Sequence, residues 1–423
     1  MRRCTCSSSL IGIIVTLLIV GTSSLSPTAQ AQTFKVLYSF TGGADGAEPD
    51  GGLVFDAAGN LYGTTYGGGD AGCFNQSCGV AFELSPGAGG WSDATLHTFT
   101  GGSDGGNPMD SLIFDAAGNL YGTTQAGGVS CQQQDFGCGT VFELTPGSGG
   151  WTETVLHSFS GSDGYGPSVG LTLDKRGHLY STLRTNEVYE LIKGAGGWKE
   201  KTLYTFVCSG NNRTGSEPPA APILDAAGNL YGTTSFCGHF ADGGTVYKLL
   251  RGSWKEKTLH EFTGPDGYHP FAGLVFDQAG NLYGTTEIGG KYNMGTVFKL
   301  APQAKGKWKE AVLHSFKGGT DGASPASTLV FDKSGNLYGT TVQGGRPTCF
   351  GNGCGTVFKL TLSSGGRWKE RVLHRFTGSD GDGPRYGSLA IDAAGNLCGE
   401  TVAGGQGNCL NGLGCGVVFE ITP

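Results

Sequence analysis

The chain has 423 residues, of which 79 are Gly and 38% are hydrophobic, with a formal net charge of −7. Glycine at that level without a triplet period, beside ordinary apolar content, excludes collagen and disorder. The acidic balance argues against nucleic acid and anionic membranes as partners.

At the N-terminus, Arg2 and Arg3 precede an apolar run from Leu10 to Val20, and small and polar residues lead to Ala29-Gln30-Ala31. This is the pattern of a secretory signal peptide over residues 1–31, cleaved after Ala31. Eleven apolar residues are too few to span a bilayer. Cys4 and Cys6 lie before the run, so they do not form a lipoprotein attachment site. The expected mature chain, 32–423, carries 26 basic against 35 acidic side chains and is secreted or periplasmic.

From there one stretch organises the sequence. It is written most cleanly at Leu112 to Thr124 as LIFDAAGNLYGTT, and it returns seven times, with Gly at 59, 118, 177, 228, 280, 335 and 395. Spacings of 51 to 60 residues mean a repeat architecture. Each copy reads as a β-hairpin in which an Asp (Asp56, Asp115, Asp174, Asp225, Asp277, Asp332, Asp392) caps the turn and the Gly supplies a positive φ. A residue present in every copy would demand seven active sites, so these aspartates are structural.

In the second copy, Leu112 to Phe114 is expected as strand A, Asn119 to Thr124 as strand B, Gly139 to Leu144 as strand C and Trp151 to Phe159 as strand D. Strand A is apolar throughout, which marks a strand covered on both faces. Four-stranded antiparallel units in radial repetition make an all-β, seven-bladed β-propeller over 32–423. The last copy stops after strand C, while Phe34 to Phe40 matches strand D with no A, B and C before it. That N-terminal strand is expected to close the ring, which removes the open edges.

Eleven cysteines follow the signal. Exported protein should pair Cys73 with Cys78, Cys131 with Cys138, Cys349 with Cys354, Cys409 with Cys415 and Cys208 with Cys237, leaving Cys398 buried and free. No CxxC or neighbouring His is present, so no metal site and no cofactor are expected.

With GNLYGTT, a downstream GTVFEL or GTVFKL and an upstream GGxDGxxP, the chain from Phe40 to Pro423 resembles the GloVer (Gloeo/Verruco) tandem-repeat proteins of choice-of-anchor type. The resemblance implies an exported bacterial protein with no established activity. The chain ends directly after strand C with no anchor visible, which favours release from the cell.

The long, variable, cysteine-bearing loops should all emerge on one face, and binding residues concentrate on such loops. The GxDGxxP aspartates there (Asp45, Asp104, Asp163, Asp266, Asp321, Asp380) read as Asx turns, with a Ca²⁺-attracting ring as the sharper alternative. His97, His157, His260, His314 and His374 recur on strand D and are structural. Blade three breaks the pattern, with His178 for Asn and a short B-to-C run Arg184-Thr185-Asn186, and blade four enters through an atypical loop. The candidate ligand residues are therefore Arg184, Asn186, Asn212, Arg213, Glu217 and His239, with Glu217 and His239 as the acid/base pair.

No nucleophile elbow, HExxH or P-loop is present. The expected function is a monomeric exported binding or scaffold module for an extracellular ligand, a carbohydrate, peptide or surface partner. The alternative is a secreted hydrolase or lyase acting on polysaccharide or a lactone.

Overall fold

The computed structural model describes residues 1, 32–69, 71–73, 76–131, 136–209, 212–238, 243–346, 349 and 352–423, with the side chains of 71–73, 76 and 212 excepted. The signal peptide expected over 1–31 lies, from residue 2 on, outside the described residues. Residues 32–423 form one compact unit, and among the described residues no helix is long and apolar enough to cross a membrane.

The unit is a seven-bladed β-propeller, each blade an antiparallel meander of four strands. In blade two the strands are Ile113–Phe114, Leu120–Thr124, Thr140–Gly147 and Gly150–Ser158. Their ends differ from the sequence reading by one to three residues. The largest shift is at the C-to-D hairpin, where pairing runs on to Gly147 opposite Gly150. The turn between strands A and B is built as its chemistry requires. Asp115 accepts the backbone N–H groups of Ala117 and Asn119 on one oxygen, and the Asn119 amide and Tyr121 hydroxyl on the other. Gly118 follows at φ 87°, in the left-handed region where only Gly is unstrained.

Strand A is covered on both faces, as its apolar run predicts: Ile113 packs in the cluster shared with blade three and Phe114 in the one shared with blade one, and Val54 and Phe55, Val275 and Phe276, and Val330 and Phe331 divide between two seams in the same way. Its residues are half-buried, because strand A is the terminal strand of each sheet and its outer edge is unpaired.

Packing between blades makes the ring. Seven apolar clusters each join two successive blades, and the seventh joins the last to the first. At every seam the Phe that follows strand D meets the strand-C aromatic residue of the next blade. Examples are Phe99 on Phe142 at 5.0 Å and Phe262 on Phe298 at 5.0 Å. The Tyr of GNLY meets the Trp of the next blade edge-on, as in Tyr62 with Trp151 at 5.9 Å. Those Trp positions therefore serve the seam rather than a ligand.

Closure is as the repeat phase predicts. Thr33–Ser39 pairs antiparallel with Val417–Thr422 and supplies the outer strand of blade seven. Phe40 then packs on Phe82 of blade one at 5.2 Å. Disulfides join Cys131 to Cys138, Cys208 to Cys237, Cys349 to Cys354 and Cys409 to Cys415. Cys78 is also disulfide-bonded, while the side chain of Cys73 lies outside the described residues. Cys398 is free and buried. This cysteine chemistry points to an oxidising compartment.

Candidate functional site

The segments that lead from strand D of one blade to strand A of the next dip into the centre of the ring. They line a channel of about 230 Å³ whose wall is mostly small, with Gly170, Ala220, Gly273 and Ser388 among its residues. Above it, on the face that carries the disulfide loops, the channel opens into a funnel of about 410 Å³. Its lining includes Asp110, Tyr165, Arg184, Glu217, Phe271 and Tyr386.

Of the residues singled out from the sequence, Arg184 and Glu217 meet in this funnel, and both are exposed. The short B-to-C turn of blade three places Arg184: Leu183 N–H donates to the Glu187 carbonyl and Asn186 N–H to the Leu183 carbonyl. Asn186 sits at φ 79° and its side-chain oxygen accepts the Glu217 N–H at 2.6 Å. It therefore holds the Glu217 backbone in place. Arg213 does not line the funnel. It is exposed on a small hairpin, Cys208–Ser209 with Asn212–Arg213, that the Cys208–Cys237 disulfide ties down. The side chain of Asn212 and all of His239 lie outside the described residues, so the expected pairing of Glu217 with His239 does too.

The GxDGxxP aspartates are already engaged. Asp163 accepts the Ser160 N–H and hydroxyl on one oxygen and faces His157 Nε2 at 2.9 Å on the other. The same His–Asp contact recurs with Asp104, Asp266, Asp321 and Asp380, and Tyr38 replaces the His beside Asp45. These are not the Asx turns expected, which bond two residues ahead: each carboxylate closes its loop backwards onto the N–H three or four residues earlier, and the recurrent histidines are their partners.

Sequence reasoning missed the residues of the entry segments: Asp110, Tyr165, Phe271 and Tyr386. A signal was available, since the stretch from the DG of GxDGxxP to strand A changes character from blade to blade. Asp110 lies where other blades carry Val, Ala, Ser or Gly. Burial raises its carboxyl to about 6, against the pull of hydrogen bonds from Ser111 and Gly170. It borders both funnel and channel, so a carboxyl that titrates near neutrality stands at the funnel floor.

Solved structures with this architecture are distant in sequence. A streptogramin B lyase is 14% identical, with 92% of this chain and 97% of that chain covered and a TM-score of 0.53. The extracellular domain of a hybrid two-component system from B. thetaiotaomicron is 11% identical, with 92% and 39% covered and a TM-score of 0.56. At such identities the likeness is one of fold. No curated protein matches the sequence. The Gloeobacter/Verrucomicrobia repeat, in contrast, matches residues 23–193 and 188–419. Together these spans cover nearly the whole propeller, and the chain belongs to that repeat family.

Proposed function

We propose that the protein is an exported binding module that takes a polyhydroxylated ligand, a short glycan, in the funnel at the channel mouth. The observation that carries this reading is the funnel's lining. Three aromatic rings, Tyr165, Phe271 and Tyr386, stand around one guanidinium, Arg184, and two carboxyl groups, Asp110 and Glu217. Aromatic faces accept the C–H faces of a sugar ring, while charged donors and acceptors fix its hydroxyls. A concave site with a few convergent polar groups is the usual form of a small-ligand pocket. Export is supported by the disulfides and by the leader-like N-terminus.

A hydrolytic reading of the same funnel has one observation in its favour, the near-neutral Asp110, since acid/base chemistry needs a carboxyl poised close to the working pH. Both readings are tested by offering the mature protein a panel of oligosaccharides and lactones and measuring binding and product together. Arg184→Ala and Phe271→Ala are each expected to weaken a retained ligand about tenfold or more, the loss of roughly 1–3 kcal/mol of buried contact. Lys175→Ala, on the opposite face, should leave it unchanged. Product that appears with wild type and disappears in Asp110→Asn, with binding kept, would select the hydrolytic reading. Affinity untouched by both funnel variants would overturn the site.

A further inference from the structure

Charge in and around the funnel is unbalanced. Asp110 and Glu217 line it, and Glu287 of blade five bears on Tyr386 of the same lining. The one cation among the described lining residues is Arg184, whose charge also reaches Tyr66 of blade one. Arg385 does not redress the balance, since its charge bears on Glu48, Asp50 and Asp382 together. Beside it at the closing seam, Glu400 stands where every other blade has Thr and shares a cavity of about 10 Å³ with Asp50. Burial raises both of these carboxyls to about 8, so near neutrality they are protonated and add no charge. The excess that remains belongs to the funnel.

Ser235 is an independent sign that something polar is received there. It is completely buried, at 0% exposure, and it lines the funnel. Its Oγ has no hydrogen-bond partner among the described residues. A buried hydroxyl without a partner is costly, and one set in a pocket wall finds its partner in the guest. The backbone holds it beside Glu217, because Ser235 N–H donates to the Glu217 carbonyl at 3.1 Å. Glu217 itself takes a left-handed backbone, φ 52°, just before a proline, where Gly166 and Gly383 of blades three and seven sit without strain. A glutamate in that conformation brings a carboxylate to the funnel against the backbone's preference.

Blades two and four thus supply the funnel with three acceptors, the Asp110 carboxyl, the Glu217 carboxylate and the Ser235 hydroxyl, and Tyr165, Phe271 and Tyr386 add aromatic faces. An ammonium group matches such a wall. It donates three hydrogen bonds, accepts none, and is drawn both to carboxylates and to aromatic rings. Resting on the glycan reading of the funnel, we propose that its ligand is an amino-sugar oligomer with free primary amines, preferred over neutral and N-acylated counterparts. A neutral sugar leaves the carboxylate charge in the funnel uncompensated, whereas an ammonium offsets it. The arriving cation also favours the ionised form of Asp110, whose carboxyl burial raises to about 6, so binding near that pH releases a proton.

The experiment is calorimetry on the mature protein at about pH 6, where Asp110 titrates, in buffers of different ionisation enthalpy. The probes are β-1,4-linked tetramers of glucosamine, N-acetylglucosamine and glucose, with tetralysine as a cationic peptide. The glucosamine tetramer is expected to bind about tenfold or more tighter than the other two sugars, to release protons, and to lose part of that advantage in high salt. Asp110→Asn, Glu217→Gln and Ser235→Ala are each expected to cut the affinity ratio of glucosamine to glucose tetramer by about threefold or more. A glucose tetramer held as tightly as the glucosamine one overturns the proposal and leaves the glycan reading standing. Failure of all three sugars to bind overturns both. Tetralysine that outbinds every sugar overturns it in favour of a basic peptide, and three variants that keep the wild-type ratio overturn it as well.

Discussion

Removal of Thr33 to Phe40 is expected to abolish the cooperative melt of the propeller or to make the protein insoluble. The segment pairs with Val417–Thr422 along its length, so its loss exposes the third strand of blade seven as a bare edge. It also takes away Phe34, which stacks on His374 at 3.7 Å across the seam with blade six. Phe40 is lost as well, fully buried against Phe82 of blade one. The single change Phe40→Ala isolates the last contact. Truncating a buried Phe costs about 3–5 kcal/mol, which lowers the melting midpoint of a domain of this size by roughly 5 °C. Phe262→Ala at an interior seam is the matched comparison, since Phe262 is equally buried and packs on Phe298 in the same way. A deletion variant that melts within a degree or two of wild type would show that the ring does not depend on this strand.

The second large effect is a loss of stability on the alkaline side. Strand D of several blades carries a carboxyl that faces the GxDGxxP aspartate of the preceding blade. Glu153 faces Asp104, Glu310 faces Asp266 and His260, and Glu370 faces Asp321, His314 and Arg375. Asp93 faces Asp45 of the closing segment. Burial raises Glu153, Glu310 and Glu370 to about 7 and Asp93 to about 6, and the neighbouring aspartate adds to each shift, outweighed only at Glu310 by the opposing charge of His260.

A carboxyl whose folded pKa lies above its unfolded value stabilises the fold fully below the unfolded pKa, and that contribution disappears as pH rises through the folded value. The turn aspartates Asp115, Asp225, Asp277 and Asp332 act in the opposite sense. Hydrogen bonds hold them below the usual range, so their contribution is lost only as pH falls beneath it. Stability should therefore be greatest near pH 4 and decline between about pH 5 and 8, by on the order of 5 °C in melting midpoint. The combined variant Glu153→Gln, Glu310→Gln, Glu370→Gln keeps the shape and removes the titration, so its alkaline slope should flatten. A midpoint that climbs from pH 6 to 8, or a triple variant with the wild-type slope, would refute the account.

Much of the architecture is legible in the sequence because its causes are local and repeated. An Asp four residues before an Asn, with Gly between, folds the same turn wherever it occurs; the contacts of Asp56, Asp115, Asp225, Asp277 and Asp332 are nearly superposable. Repeat phase alone placed Phe34 to Phe40 beside a strand more than 370 residues away. The site is less legible, for the reason that it has no local pattern. Arg184 could be found as a break in blade three, and it does reach the funnel. Arg213 breaks the pattern just as clearly and stands apart, because its loop folds back on itself under the Cys208–Cys237 disulfide.

What the sequence by itself determined is the phase of the repeat: seven blades, their turns, the closing strand and the cysteine pairs, all set by residues within one repeat or by counting repeats. What only the tertiary structure decided is which departures from that repeat meet. Asp110, Phe271 and Tyr386 come from entry segments of blades two, five and seven, and Asp50 and Glu400 from opposite ends of the chain. A ring closed on itself makes neighbours of residues 350 positions apart, and only the geometry of that closure says whether an isolated Glu in place of Thr faces solvent, a partner or an empty pocket.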